Sequence, residues 1–213
     1  MRFAIADGAT ESSFARLWAQ LLVRGFGRGR FGLEDLGDHL PWMQKLWLRI
    51  VKRRPLPWYA EMALDNGAHA AFAGLELGED GAWHAVALGD ACVFQVSGEG
   101  ELIAAFPVSA STDFGSRPPL LSSQPRHNAT VLSKVVQSEG RWETRDQFYL
   151  LTDAIAAWFL RSAEEGKTPW TVLDEFNDEE AFRDWVKEQR GFGLMRNDDV
   201  TVVRIVCGAV AGD

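Results

Sequence analysis

Three aspartates share one local setting, beside an apolar strand-like run and next to small or turn-forming residues. They are Asp7 in Ile5-Ala6-Asp7-Gly8, Asp153 in Leu150-Leu151-Thr152-Asp153-Ala154, and Asp198 in Asn197-Asp198-Asp199-Val200-Thr201. Carboxylates at strand ends can converge on one point, where their mutual repulsion raises their pKa values unless cations neutralise it. Hard oxygen donors of this kind suit magnesium or manganese. Taken singly, each aspartate reads as a turn or cap residue. Other chemical groups are poorly placed. His39, His69, His84 and His127 fall in no catalytic spacing and read as structural or surface residues. Cys92 and Cys207 each lie in an apolar run, which points to buried thiols rather than a disulfide or a metal site.

The elements that would carry the aspartates follow from periodicity. Phe3 to Ala6 predicts a short buried strand running into Asp7. Thr10 or Ser12 could cap a helix with Phe14, Leu17, Trp18, Leu21 and Leu22 on one face, ending near Gly25. Gly25, Gly27, Gly29 and Gly32, interleaved with Arg24, Arg28 and Arg30, look like a phosphate loop but lack the strand-turn-helix context, so they read as a flexible connection. A second helix is predicted from Pro41 to Arg53, burying Met43, Leu46, Trp47, Ile50 and Val51, with Pro55 and Pro57 ending it.

Beyond Ala68 the apolar runs shorten to strand length. Ala70 to Leu77, Trp83 to Leu88 and Cys92 to Val96 predict an antiparallel meander, and the two-sided apolarity of the second run implies a sheet covered on both faces. Ser109 to Ser138 reads mostly as loop. Gln147 to Leu151 predicts a strand, and Thr152 and Asp153 open an apolar helix. A capping box of Asn177 and Glu180 starts another helix, with Phe182, Trp185 and Val186 on one side; Val200 to Val206 predicts a last strand.

The composition narrows the function classes. A chain of 213 residues with a net charge of -8 is poorly suited to broad nucleic-acid binding, which needs a basic footprint. The main basic cluster, Lys52-Arg53-Arg54, reads as a solvated helix end. The start carries no charged leader followed by an apolar stretch, and no apolar run reaches the roughly 18 residues a membrane helix needs, so neither standard secretion nor a membrane partner is expected.

The motif order resembles that of the metal-dependent type 2C protein phosphatases, particularly small tryptophan-rich bacterial members. The family's Asp-Gly motif is similar to Asp7-Gly8, its Gly-Asp motif to Gly89-Asp90, its Thr-Asp-Gly motif to Thr152-Asp153-Ala154, and its closing motif to Asp198-Asp199-Val200-Thr201. Trp83, Phe106-Pro107 and Ala157-Trp158-Phe159-Leu160 add to the likeness. The resemblance implies an α+β fold, a four-layer α-β-β-α sandwich of two antiparallel sheets flanked by helices, built as a single domain over 1–213. It implies a pair of Mn2+ or Mg2+ ions, one held by Asp7, Asp153 and Asp198, the other bridged by Asp7 and taking the Gly8 carbonyl. A metal-activated water then attacks phosphorus, with no catalytic side chain assigned. A phosphoserine or phosphothreonine protein as substrate and a cognate Ser/Thr kinase are implied as well, and the two thiols in apolar runs fit a reducing cytoplasm.

The chain also departs from the family. The acidic Asn-x-Asp segment that precedes the Asp-Gly motif is absent, so the chain reads as N-terminally truncated relative to the family, or as starting upstream of Met1. That segment supplies a ligand to the second ion and often an arginine for the substrate phosphate, so the second site is expected to be weak. A missing first strand would also leave a neighbouring strand as an open edge. Ala9 stands where better-known members have a histidine, and Ala157 where some have a further aspartate, although Asp90 keeps the other candidate ligand for a third site. Glu11 reads as a first-turn helix acid, with substitute ligand as the alternative. These losses motivate a second expectation, a pseudophosphatase acting as a binding or regulatory module.

Overall fold

The computed structural model describes residues 1–10, 12–33, 35–53, 61, 64–115 and 117–208. Glu11, Arg54, Pro55 and Pro57, all named above, lie outside the described residues.

Among the described residues, nine strands form two antiparallel sheets. The first joins β1 (Arg2–Gly8), β2 (His69–Leu77), β3 (Ala82–Leu88) and β7 (Val136–Arg141) in that order, with the short β6 (Leu121–Ser122) also on β2. The second runs β5 (Leu102–Phe106), β4 (Cys92–Val96), β8 (Gln147–Leu151) and β9 (Val202–Val206). Period-two alternation sorts their side chains into layers. Ile5, Ala71, Ala73, Leu75, Ala85 and Ala87 of the first sheet face Val93, Phe148, Leu150 and Ile205 of the second in an inner core. The opposite face of the first sheet, including Ala70, Phe72, Val86 and Leu88, lies under helices α1 (Ala15–Gly27) and α2 (Leu36–Val51) through Trp18, Leu22, Phe26, Met43 and Trp47. The outer face of the second, with Phe94, Tyr149 and Leu151, is covered by α3 (Asp153–Glu164), α4 (Pro169–Asp174) and α5 (Glu179–Gly191) through Ile155, Phe159, Trp170 and Val186. The result is the expected order of layers, helix, sheet, sheet, helix.

A polar pin crosses the inner core. Trp83 Nε1 on β3 donates to Gln95 Oε1 on β4 at 2.8 Å, and Gln95 Nε2 donates to Asp146 Oδ2 at 2.8 Å. Asp146, 4% exposed, also accepts from Gly98 N and Glu143 N, both at 3.0 Å. Every bond of this buried carboxylate stays inside the fold, as a buried charge requires.

Several expectations are corrected. Neither Thr10 nor Ser12 caps α1: Phe14 stands at its N-cap with left-handed backbone (φ 62°) and no side-chain cap bond, because the chain must reverse within a few residues to lay Ala15 on Gly8. The helix also runs past Gly25 to Gly27, enclosing Arg24. The glycine-rich connection after it is pinned by Phe31, which is fully buried against Phe26 and Phe72. Helix α2 begins five residues before Pro41 and carries that proline inside it. The meander ends at β3, since β4 crosses to the second sheet and pairs β5 and β8. Within 109–138 the structure holds β6 and the start of β7; β7 is an edge strand with both faces largely exposed, so its sequence carries no apolar period. The cap of α5 is Asp178, accepting from Ala181 N at 2.8 Å, one residue beyond Asn177.

Candidate metal centre

The two sheets and the loops between their strands bring five acids to one end of the sandwich. β1 delivers Asp7 near its C-terminal end, on the face that carries Ile5 into the inner core. The turn from β3 to β4 delivers Asp90, and here glycine is required: Gly89 has φ +94°, and an added Cβ would lie 2.7 Å from Ala71 Cβ. β8 leads through Thr152 to Asp153, the first residue of α3. The loop from α5 to β9 brings Asp198 and Asp199.

Thr152 ties that loop to the end of β8. Its hydroxyl donates to Asp199 O at 3.0 Å and accepts from Thr201 N at 3.0 Å, while Thr152 N donates to Thr201 O at 3.3 Å. Arg190 also donates to the Asp198 carbonyl. In the sequence Thr152 reads as a motif residue at the opening of a helix, and its tie to the Asp198 loop exists only in the fold. Its partners lie almost fifty positions away, so no local spacing could reveal them.

The charges of these acids act on one another. Burial, then the Asp153, Asp198, Asp90 and Asp199 carboxylates, push Asp7 up from its ordinary 3.8 to about 7. Burial, then Asp153, push Asp90 up to about 6, with its own backbone and Arg196 opposing. Asp153 is likewise raised, first by burial, while the Ala154 amide that donates to its Oδ1 at 2.6 Å and the Arg196 guanidinium hold it back. Arg196 Nη1 stands 3.8 Å from Asp153 Oδ2.

Asp7, Asp90, Asp153 and Asp198 are therefore brought together, and Asp199, named earlier only as a motif residue, joins them. Among the described residues no three His, Cys, Asp or Glu side chains already encircle a single point. The acids converge as a shared field rather than as a finished cage. Their donors are all oxygen and only partly neutralised by Arg196, a set that fits a hard divalent cation. The remaining candidates fall as follows. Glu11 is outside the described residues. His39 pairs with Asp35 at 3.3 Å and His84 with Glu139 at 3.6 Å, away from the acids. His69 is closer: its carbonyl accepts from Ala9 N at 2.9 Å, and its ring stacks on His127 with centroids 5.5 Å apart.

A cavity of about 410 Å³ opens beside Asp7 and Gly8, walled by Arg16, Gln20 and Arg24 of α1 and by Asp199. A larger one, about 880 Å³, lies at the other end of β1, where Arg2 and Glu76 pair at 3.0 Å.

No protein-family profile matches the chain, and no curated protein matches its sequence. Solved structures do match its shape. The photosystem II phosphatase PBCP superposes with a TM-score of 0.57 at 13% identity, over 98% of this chain and 87% of that one. The catalytic domain of the serine threonine protein phosphatase PstP, in complex with two manganese ions, gives 0.55 at 17% identity, over 96% and 87%. A bacterial serine phosphatase gives 0.56 at 14% identity, over 100% and 87%. The chain has the type 2C phosphatase fold. Its two sheets and flanking helices belong to a scaffold that these phosphatases share. At such identities the likeness speaks for the fold, and activity has to be argued from the site.

Proposed function

We propose that the protein is a metal-dependent phosphatase acting on phosphoserine or phosphothreonine in proteins. The observation that supports this most is the gathering of Asp7, Asp90, Asp153 and Asp198 at one end of the sandwich, with Asp7 pushed up to about 7 by burial and by its acidic neighbours. A site built from like charges is costly unless a cation joins it. Asp7, Asp153 and Asp198 would hold one Mn2+ or Mg2+ ion, and Asp7 with the Gly8 carbonyl would begin a second, weaker site. Bound there, a divalent cation supplies Lewis-acid stabilisation of phosphoryl oxygens and a water of lowered pKa. The chain's own part is positional. Thr152 fixes the Asp198 loop against β8, Gly89 lets the turn place Asp90, and Arg196 shares the charge of Asp153. Asp90 is a candidate for a third ion. The substrate would be a phosphoprotein in the cytoplasm, made by a Ser/Thr kinase, and the whole chain would act as a single domain.

The test is phosphate release from a phosphoserine peptide in Mn2+. Wild type should turn over and Asp153→Asn should lose at least about 100-fold in kcat/KM, as expected when a group that stabilises transition-state charge is removed. Equal rates for the two proteins would overturn the reading.

A second reading, a pseudophosphatase, draws on Arg196, whose guanidinium beside Asp153 already supplies part of the cation's charge. Isothermal titration with Mn2+ separates the two: no heat of binding, together with no turnover, favours the binding module.

A further inference from the structure

Among the described strands, β1 pairs with β2 alone and is the end strand of its sheet. Met1 and Leu77 exchange both backbone hydrogen bonds, and Ala9 N donates to His69 O. Hydrogen-bonded pairs alternate along an antiparallel ladder. Met1, Phe3, Ile5, Asp7 and Ala9 therefore turn their backbone groups to β2, while Arg2, Ala4, Ala6 and Gly8 turn theirs to the outer edge. The 410 Å³ cavity meets this edge at Ala6, Asp7 and Gly8.

Helix α1 runs back along the same strand. A Cβ on Gly8 would come within 3.0 Å of Ala15, and one on Gly74, the partner of Ala4, would come within 2.7 Å of Phe26. Arg16, Gln20 and Arg24 recur every four residues, so they form one stripe of α1 along the cavity. Neither arginine forms an ion pair with a described carboxylate. Arg16 lies level with Asp7 and Gly8. Arg24 lies about 12 Å further down, the length of about three or four residues of extended chain.

We propose that a phosphorylated polypeptide docks as an added strand on the outer edge of β1. Its phosphorylated side chain reaches Asp7, and an acidic side chain about three or four residues away is held by Arg24. This rests on the phosphatase reading and names the substrate class of that site. The outward amides and carbonyls of Ala4 and Ala6 give sequence-independent main-chain bonds, and the arginine stripe gives the selection. The stripe matters because the protein carries a net charge of -8 and would otherwise repel acidic segments.

The experiment measures fluorescence-anisotropy Kd values, in Mn2+, for peptides carrying the non-hydrolysable phosphonate analogue of phosphoserine. A single glutamate is walked to either side through a neutral background. Binding should be tightest with glutamate about three or four positions away on one side, and Arg24→Ala should weaken that peptide about tenfold and flatten the series. Ala4→Pro removes only an outward N–H and should weaken every peptide. Rates on p-nitrophenyl phosphate should be unchanged in both variants. Position-independent binding, or wild-type binding by folded Arg24→Ala, would overturn the proposal. So would a wild-type dimer in ultracentrifugation that Ala4→Pro dissociates, since a second copy would then occupy the edge. Loss of docking with turnover intact sinks this inference alone, whereas position-dependent docking without phosphate release sinks the phosphatase reading.

Discussion

Asp7 carries the largest share of the electrostatic cost at the site, and that cost sets how the metal-free protein responds to pH. Its folded pKa of about 7 lies above the ordinary 3.8, and Asp90 is raised to about 6. A raised carboxylate binds its proton more tightly in the folded state. The associated stability is fully present below the ordinary value and is lost as pH rises through the folded one. In a chelator, the melting temperature should thus fall between pH 5 and pH 8, and Asp7→Asn, which carries no charge at any pH, should flatten much of that fall. Saturating Mn2+ should reverse the slope, since the ion competes with protons for the same oxygens. Thermal melts across pH, with and without the ion, read all three outcomes. A wild-type melting temperature that rises from pH 5 to pH 8 in chelator would contradict the account.

At the scale of elements, the Trp83-Gln95-Asp146 pin is the most vulnerable joint between the sheets. Asp146→Ala removes the acceptor of the Gly98 and Glu143 amides and leaves Gln95 Nε2 with Arg141 O alone, and urea unfolding should show a loss of about 3 kcal/mol. A loss under about 1 kcal/mol would mean that water replaces the carboxylate. This pin also marks how far the sequence could be read. Strand β8, helix α3 and the core faces of α1 and α5 were legible because their apolar residues repeat at two or at three to four positions, and Asp7, Asp153 and Asp198 stood out because each borders the end or the start of such a repeat. Gln95 and Asp146 were not, because their roles exist only once β4 lies over β3. The left-handed Phe14 escaped notice for a similar reason: its conformation is imposed by the packing of Ala15 on Gly8, and neighbouring residue types gave no sign of it. Strand β7 was hidden by its polarity, and the crossing of β4 to the second sheet by the similarity of its apolar run to those before it.

For the whole molecule, the two sheets divide the labour. The first presents an edge strand with Asp7 near its end, the turn that joins the two sheets carries Asp90, and the second, with its helices, supplies Asp153, Asp198, Asp199 and the threonine that locks their loop. Neither sheet alone assembles the centre, so its geometry depends on the inner core that joins them. Most of the pairings that build this arrangement are remote in sequence: β1 waits for β2, β3 for β7, and β8 for β9, while Trp18 reaches Leu121 across 103 positions. Chain entropy must be surrendered before any of these contacts repays it. Refolding therefore belongs to the regime of about milliseconds to seconds rather than microseconds. During that interval β1 is an unpaired, mostly apolar ribbon of seven residues. The same edge that invites a partner in the finished protein is the one most exposed to misassociation while the protein is still forming.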